Sequence, residues 1–117
     1  MKAVLIDPDL GTVKDIDGPF DDFRQIQKII ECDYFTIAGY IGEFPVRDAV
    51  YCDDEGMLKL NLIYTKMDHY PQPLAGRILV IGAKADGNSK DTNFGADEIR
   101  KQVKFLTLSQ VRAQYAS

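Results

Sequence analysis

The stretch Gly76-Arg77-Ile78-Leu79-Val80-Ile81-Gly82 is almost continuously apolar between its two glycines. A strand with one wet face alternates apolar and polar residues. This one does not, so it predicts a strand covered on both faces. Before it, Asp68 to Pro73 carries two prolines and reads as a loop. Further upstream, Met57 to Met67 fits two periods. Leu58, Leu60, Leu62 and Tyr64 alternate as in a strand, whereas Leu58, Leu62 and Thr65 also suit a short helix. Asp48-Ala49-Val50-Tyr51-Cys52 and Tyr34 to Ile41 are rich in aromatic and β-branched residues and read as strands. Gly39 and Gly42 mark a bulge or a close approach by another backbone, and Asp53-Asp54-Glu55-Gly56 is a turn.

At the start of the chain, Lys2 to Ile6 and Thr12 to Asp17 flank Asp7-Pro8-Asp9-Leu10-Gly11. Pro8 presets its φ, Asp9 can bond its own backbone and Gly11 accepts positive φ, which predicts a β-hairpin. Gly18-Pro19 then opens a helix, since the missing N–H of proline costs nothing at a first helical position. Asp21 and Asp22 suit its positive end. Phe23, Ile26, Ile29 and Ile30 share one face, and the helix ends near Cys32-Asp33. Beyond the central strand, Asp86-Gly87-Asn88-Ser89 is a turn and the chain stays polar until Phe94. Ile99, Val103 and Leu106 stand in helical register across Ala96 to Leu106. Thr107 and Gln110 have the form of a capping box, opening a helical piece with Leu108, Val111 and Tyr115 on its apolar side. This order predicts a single α+β domain over residues 1–117, with a largely antiparallel sheet and helices packed on one face.

The 117 residues are 45% hydrophobic and 27% charged, ordinary for a globular chain able to build one core. No apolar run approaches the ~20 residues of a membrane helix. Ala3 to Ile6 is too short for a secretory core, so the reading places the protein in the cytoplasm, the host's if it is phage-encoded, with no membrane partner. Eighteen acids against 14 bases give a net charge of −4. Lys and Arg are scattered, which disfavours general nucleic-acid binding. The acids lie in clusters with bases between them, not as the dense carboxylate stripe a DNA mimic needs. Cys32, Cys52 and the single histidine, His69, are widely spaced and too few for a structural zinc site. Two buried thiols are the simplest reading.

No motif supplies a catalytic set. Tyr51-Cys52-Asp53-Asp54 spells the Y-x-D-D of reverse transcriptases, but the chain is too short for a polymerase. Asp53, Asp54 and Glu55 could hold a hard cation through oxygen, yet in a strand only Asp53 and Glu55 share a side. Asp86, Asn88 and Asp91 resemble a calcium loop, with Lys90 and Asp91 where the acceptor and glycine should be. Gly82-Ala83-Lys84 lacks the phosphate-loop spacing, and no Ser/His/Asp set is present. Six tyrosines are many for this length, and tyrosine suits ligand pockets and interfaces as well as cores.

Tyr51-Cys52-Asp53-Asp54-Glu55-Gly56-Met57-Leu58-Lys59, with Asn61, Pro73-Leu74-Ala75-Gly76, the strand Ile78 to Gly82 and Asp86-Gly87, resembles the domain of unknown function family numbered 3846. The resemblance runs from Lys2 to Leu106. Leu62 to Gln72, with Pro71 and its tyrosines, departs from the helix-like segment the family has there. The resemblance implies a small α+β domain in phages, plasmids and other mobile elements. It implies no reaction, so no catalytic residue, metal or cofactor carries over.

The expected function is a non-enzymatic binding module that takes a host protein or a small anionic, nucleotide-like ligand and modulates host defence or physiology. The candidate ligand residues are Tyr51, Asp53, Asp54, Glu55, Asn61, His69, Tyr70 and Arg77. Tyrosines would stack, and Arg47, Arg77 or Lys84 would take a phosphate. A homo-oligomer would let a short chain enclose a ligand. Two alternatives stand beside this one. The first is a small metal-dependent hydrolase or transferase using the acidic hairpin Asp53 to Glu55. The second is a structural oligomeric accessory domain.

Overall fold

The protein is described here by a computed structural model, in which residues 1–59, 61–68 and 70–115 are placed. Leu60, one member of the alternating leucine series, lies outside the described residues.

The expected hairpin forms. β1 (Lys2–Asp7) and β2 (Thr12–Asp17) pair antiparallel from Lys2↔Asp17 to Asp7↔Thr12. α1 (Phe23–Ile30) begins at Phe23 and not at Pro19 because Asp22 is its N-cap. The Asp22 carboxylate accepts the Arg24 backbone N–H at 2.9 Å, and the Gln25 side-chain oxygen accepts the Asp22 N–H at 3.0 Å. That is a capping box. The helix ends at Glu31, which holds a left-handed φ of 61°. The remaining elements are β3 (Phe35–Glu43), β4 (Val46–Asp53), a 3-10 turn at Gly56–Leu58, β5 (Ile63–Met67), β6 (Leu74–Ala75), β7 (Ile78–Ala83), β8 (Ser89–Lys90), α2 (Ala96–Arg100), β9 (Val103–Thr107) and α3 (Leu108–Tyr115). The larger sheet runs β2-β1-β7-β4-β3, with β8 added at the end of β7, and the smaller runs β6-β5-β9. Every pairing is antiparallel.

β7 is buried at every position, as its sequence requires. Its alternate residues feed two cores. Leu79 and Ile81 join Ala3, Phe20 and the α1 residues Ile26 and Ile30. Ile78 and Val80 join Val4, Ile6 and Val50, with Met67 from the smaller sheet and Ile99 from α2. Each such aliphatic contributes about 2 kcal/mol on burial, so β7 anchors both layers. The fold is α+β and antiparallel as expected, but the helices do not share one face. α1 covers one side of the larger sheet, and α2 with the smaller sheet covers the other. α3 packs Val111 on Tyr64 and Ala75 of the smaller sheet. A central strand with no polar face needs cover twice, and the helices divide to give it.

The expected helix over Ala96 to Leu106 is also corrected. α2 stops at Arg100, and Val103–Thr107 pairs with β5 from Ile63↔Thr107 to Met67↔Val103. Val103 and Phe105 pack on the main core while Leu106 faces the other way, which is a strand's alternation. Met57 to Met67 divides into the 3-10 turn and β5. The box at Thr107 forms: the Thr107 N–H donates to Gln110 Oε1 at 2.8 Å, and the Gln110 N–H to Thr107 Oγ1 at 3.2 Å. Gly39 forms the expected bulge, but what approaches it closely is a side chain, whereas the backbone approach is at Gly42, against the Val46 carbonyl. The β3–β4 register shifts between Ile37 and Gly39, and a Cβ at Gly39 would lie 2.5 Å from the Tyr70 ring. Among the described residues no helix is long and apolar enough to cross a membrane.

Candidate functional site

β4 positions the site. Its side chains alternate between faces. Val50 and Cys52 enter the main core, and Asp48 is fully buried with them. The Asp48 carboxylate accepts the N–H groups of Asn93 at 2.8 Å and Phe94 at 3.1 Å and the Asn93 amide at 2.8 Å, which fastens that loop to the sheet. Arg47, Ala49, Tyr51 and Asp53 face the side that α1 covers incompletely.

On that side a cleft of about 440 Å³ opens between the start of α1, the ring of Tyr51 and the turn joining β7 to β8. Phe35 and Tyr51 meet edge to face, their centroids 5.4 Å apart at 79°. Phe20 and Ile26 are buried beneath, while Phe23 is 57% exposed at the mouth. Lys84, Asn88 and Ser89 form the far rim. The turn is held from within: the Lys84 N–H donates to the Asn88 carbonyl at 2.9 Å, and the Asn88 N–H and amide to the Asp86 carboxylate at 2.9 and 3.0 Å. The backbone bond from Asn88 lowers the Asp86 pKa. No carboxylate among the described residues pairs with the Lys84 ammonium. Burial raises the Tyr51 hydroxyl pKa, against the pull of Ser89 beside it. Tyr51 therefore presents a neutral O–H that can donate.

A second cleft, of about 290 Å³, lies where β1 and β4 end and β7 begins. Here Asp53, Asn61 and Arg77 come together as candidate ligand residues, but the fold already uses their polar groups. Arg77 Nε lies 3.3 Å from Asp7 Oδ2, and its Nη1 lies 3.0 Å from Glu31 Oε1 and donates to the Ile29 carbonyl at 3.3 Å. The Asp53 side chain is 6% exposed, accepts from Lys59 Nζ at 2.6 Å and takes the Glu55 N–H at 2.9 Å. Asp53 correspondingly raises the Lys59 pKa. The Asn61 amide donates to the carbonyls of Gly56 at 2.8 Å and Lys59 at 2.7 Å, closing the 3-10 turn.

The other candidates scatter. Asp54 and Glu55 are exposed and do not converge with Asp53. Asp91 accepts the Lys2 N–H at 2.9 Å, away from the Asp86–Asn88 pair. Among the described residues no three His, Cys, Asp or Glu side chains gather where they could hold a metal ion. Tyr70 packs on the main core over Gly39; its hydroxyl is buried without a partner, and burial pushes its pKa up. His69 lies outside the described residues. Cys32 and Cys52 are free thiols, Cys52 the more buried. The sequence reading missed Phe20, Phe23 and Phe35, since aromatics at helix and strand spacing read as core. The exposed face of Phe23 follows only from the late start of α1. Arg47 lies flat between Tyr40 and Phe44, 3.8 and 3.7 Å from their ring centroids.

Compared with known proteins, residues 1–104 match the family described as Domain of unknown function (DUF3846). No curated protein and no solved structure matches the chain.

Proposed function

Because the chain belongs to the DUF3846 family, which brings no activity with it, we propose from the geometry that it is a non-enzymatic binding module of a phage or other mobile element, holding a small anionic, nucleotide-like ligand in the aromatic cleft to alter host defence or physiology. The observation that supports this reading is the meeting, in one cavity, of the rings of Phe23, Phe35 and Tyr51 with Lys84, whose ammonium has no ion-pair partner among the described residues. The volume falls within the roughly 300–1,000 Å³ of ligand pockets. Stacking a base on an aromatic ring contributes about 1–3 kcal/mol, and a lysine supplies the point charge a phosphate needs. Such a protein acts by occupancy, removing a signal or cofactor from circulation.

A thermal-shift series with AMP, GMP, CMP, UMP and inorganic phosphate tests this. A ligand at a hundredfold over its dissociation constant adds about 2.7 kcal/mol of stability. The expected result is stabilisation by at least one nucleotide, lost in Tyr51→Leu and weakened in Lys84→Ala. No shift with any of them removes the nucleotide reading. The second reading is then a host protein, favoured by β3. That outer strand is nine residues long, its one charge is Glu43 at its end, and Ile37 and Tyr40 stand exposed on it. Outer strands usually carry charges or proline that discourage pairing. A second copy joining there would make the homo-oligomer, and light scattering that returned a monomer at high concentration would remove that version.

A further inference from the structure

Further along β4, Arg47 repeats the pairing of ring and cation found in the cleft. Arg47, Ala49 and Tyr51 alternate onto one face, and Tyr40 and Ile37 of β3 lie opposite Ala49 and Tyr51. Phe44, Tyr40, Tyr51 and Phe35 thus form one strip of rings on one face of the sheet. Tyr40 and Phe44 are 40% and 49% exposed. Arg47 and Tyr51 are four residue steps apart along the strand, about 13 Å. Only the small side chain of Ala49 stands between them, so nothing on β4 divides the strip.

The two rings satisfy the flat faces of the Arg47 guanidinium but not its edge. Cation–π contact leaves the in-plane N–H groups free. No carboxylate pairs with Arg47 among the described residues, and its Nε is buried without an acceptor. With Nε buried, the outer Nη edge of this guanidinium, fixed in orientation by the rings, is what matches the planar, two-point geometry of a phosphate oxyanion.

We infer that the aromatic cleft and the Arg47 clamp are two stations of one site, and that its ligand is a dinucleotide, with two bases and two phosphates, and not a mononucleotide. This rests on the cleft being the ligand site. One base stacks at Tyr51 and Phe35 with its phosphate towards Lys84. The other stacks on the open side of Tyr40 or Phe44 with its phosphate on Arg47.

Calorimetry with the full chain, comparing AMP with the dinucleotide pApA at one salt concentration, tests the inference. The expected result is pApA binding at least tenfold tighter than AMP. Arg47→Met, which keeps an apolar stem between the rings, should erase that margin, so that pApA binds no tighter than AMP. Phe44→Leu, at the exposed hairpin tip, gives the same readout if Arg47→Met does not fold. AMP and pApA binding equally, or a margin that survives both substitutions, overturns the two-station site and leaves the cleft reading standing. If neither ligand binds, the cleft reading fails first and the inference with it.

Discussion

The two clefts flank the same strand and contain opposite chemistry. At the end of β4, Asp7, Glu31 and Asp53 are bound to Arg77 and Lys59, and Asn61 is bound to main-chain carbonyls. Near Tyr51, rings line the walls with Asp21 and Lys84, and no ion pair among the described residues takes up the Lys84 ammonium. The acidic cleft looks more like a site in sequence, because its residues are the polar ones. Its charges are each other's partners, so an incoming ligand would have to displace contacts that hold three strand ends together. A ligand reaching Lys84 in the aromatic cleft would break no ion pair among the described residues. Crowding of polar residues is therefore a poor guide to a site; what matters is whether the fold has already satisfied them.

That contrast can be broken experimentally. Arg77→Met should have the largest effect, about 2 kcal/mol of stability in urea unfolding. It leaves the buried Asp7 carboxylate without its cation, and removing one partner of a fully buried pair costs ~3–5 kcal/mol. Arg77 is 31% exposed, which discounts that figure. Nucleotide affinity of the folded protein should stay within about twofold; a tenfold loss would mean the two clefts are not separate. Tyr51→Leu should do the reverse. It should lower affinity by roughly tenfold to a hundredfold while costing under about 1.5 kcal/mol of stability.

A third measurement uses the far face of β4, which neither cleft touches. Burial raises the Cys52 thiol from 9.0 to about 11. Above pH 9 the unfolded chain releases this proton while the folded chain keeps it, so stability falls as pH rises from 9 to about 11. The slope is at most about 1.4 kcal/mol per pH unit. The difference between wild type and Cys52→Ala over that window isolates it from the other alkaline groups, and equal slopes would show the thiol open to water. The smallest effect is expected of Asp54→Asn with Glu55→Gln. Both side chains are exposed, so stability should stay within about 0.5 kcal/mol and nucleotide affinity should not fall. A tenfold loss of affinity would return the acidic hairpin to consideration.

The sequence reveals most where one chemical pressure acts alone. The apolar run at Ile78 to Ile81 admits one interpretation, as does the Asp7 to Gly11 turn. Val103 to Leu106 admits two. Ile99, Val103 and Leu106 suit a helix, while Val103 and Phe105 against Leu106 suit a strand, and pairing with β5 decides. The site is harder for a related reason. Tyr51 and Lys84 are recognisable singly as a stacking ring and a phosphate cation, but their meeting depends on how β7, β4 and the turn after β7 are arranged. Tyr70 reads as a ligand residue and is core, because Gly39 leaves room for its ring. Asn61 reads as a ligand residue and closes a turn.

The strand order has a consequence for synthesis. β1 and β4 do not touch; β7, made after both, lies between them. While the first 77 residues emerge from a ribosome, the nascent chain holds two hairpins with no strand to join them, and isolated hairpins are marginal in water. Translation therefore delivers β1 to β4 before the strand that joins them, and the larger sheet assembles only once β7 is made.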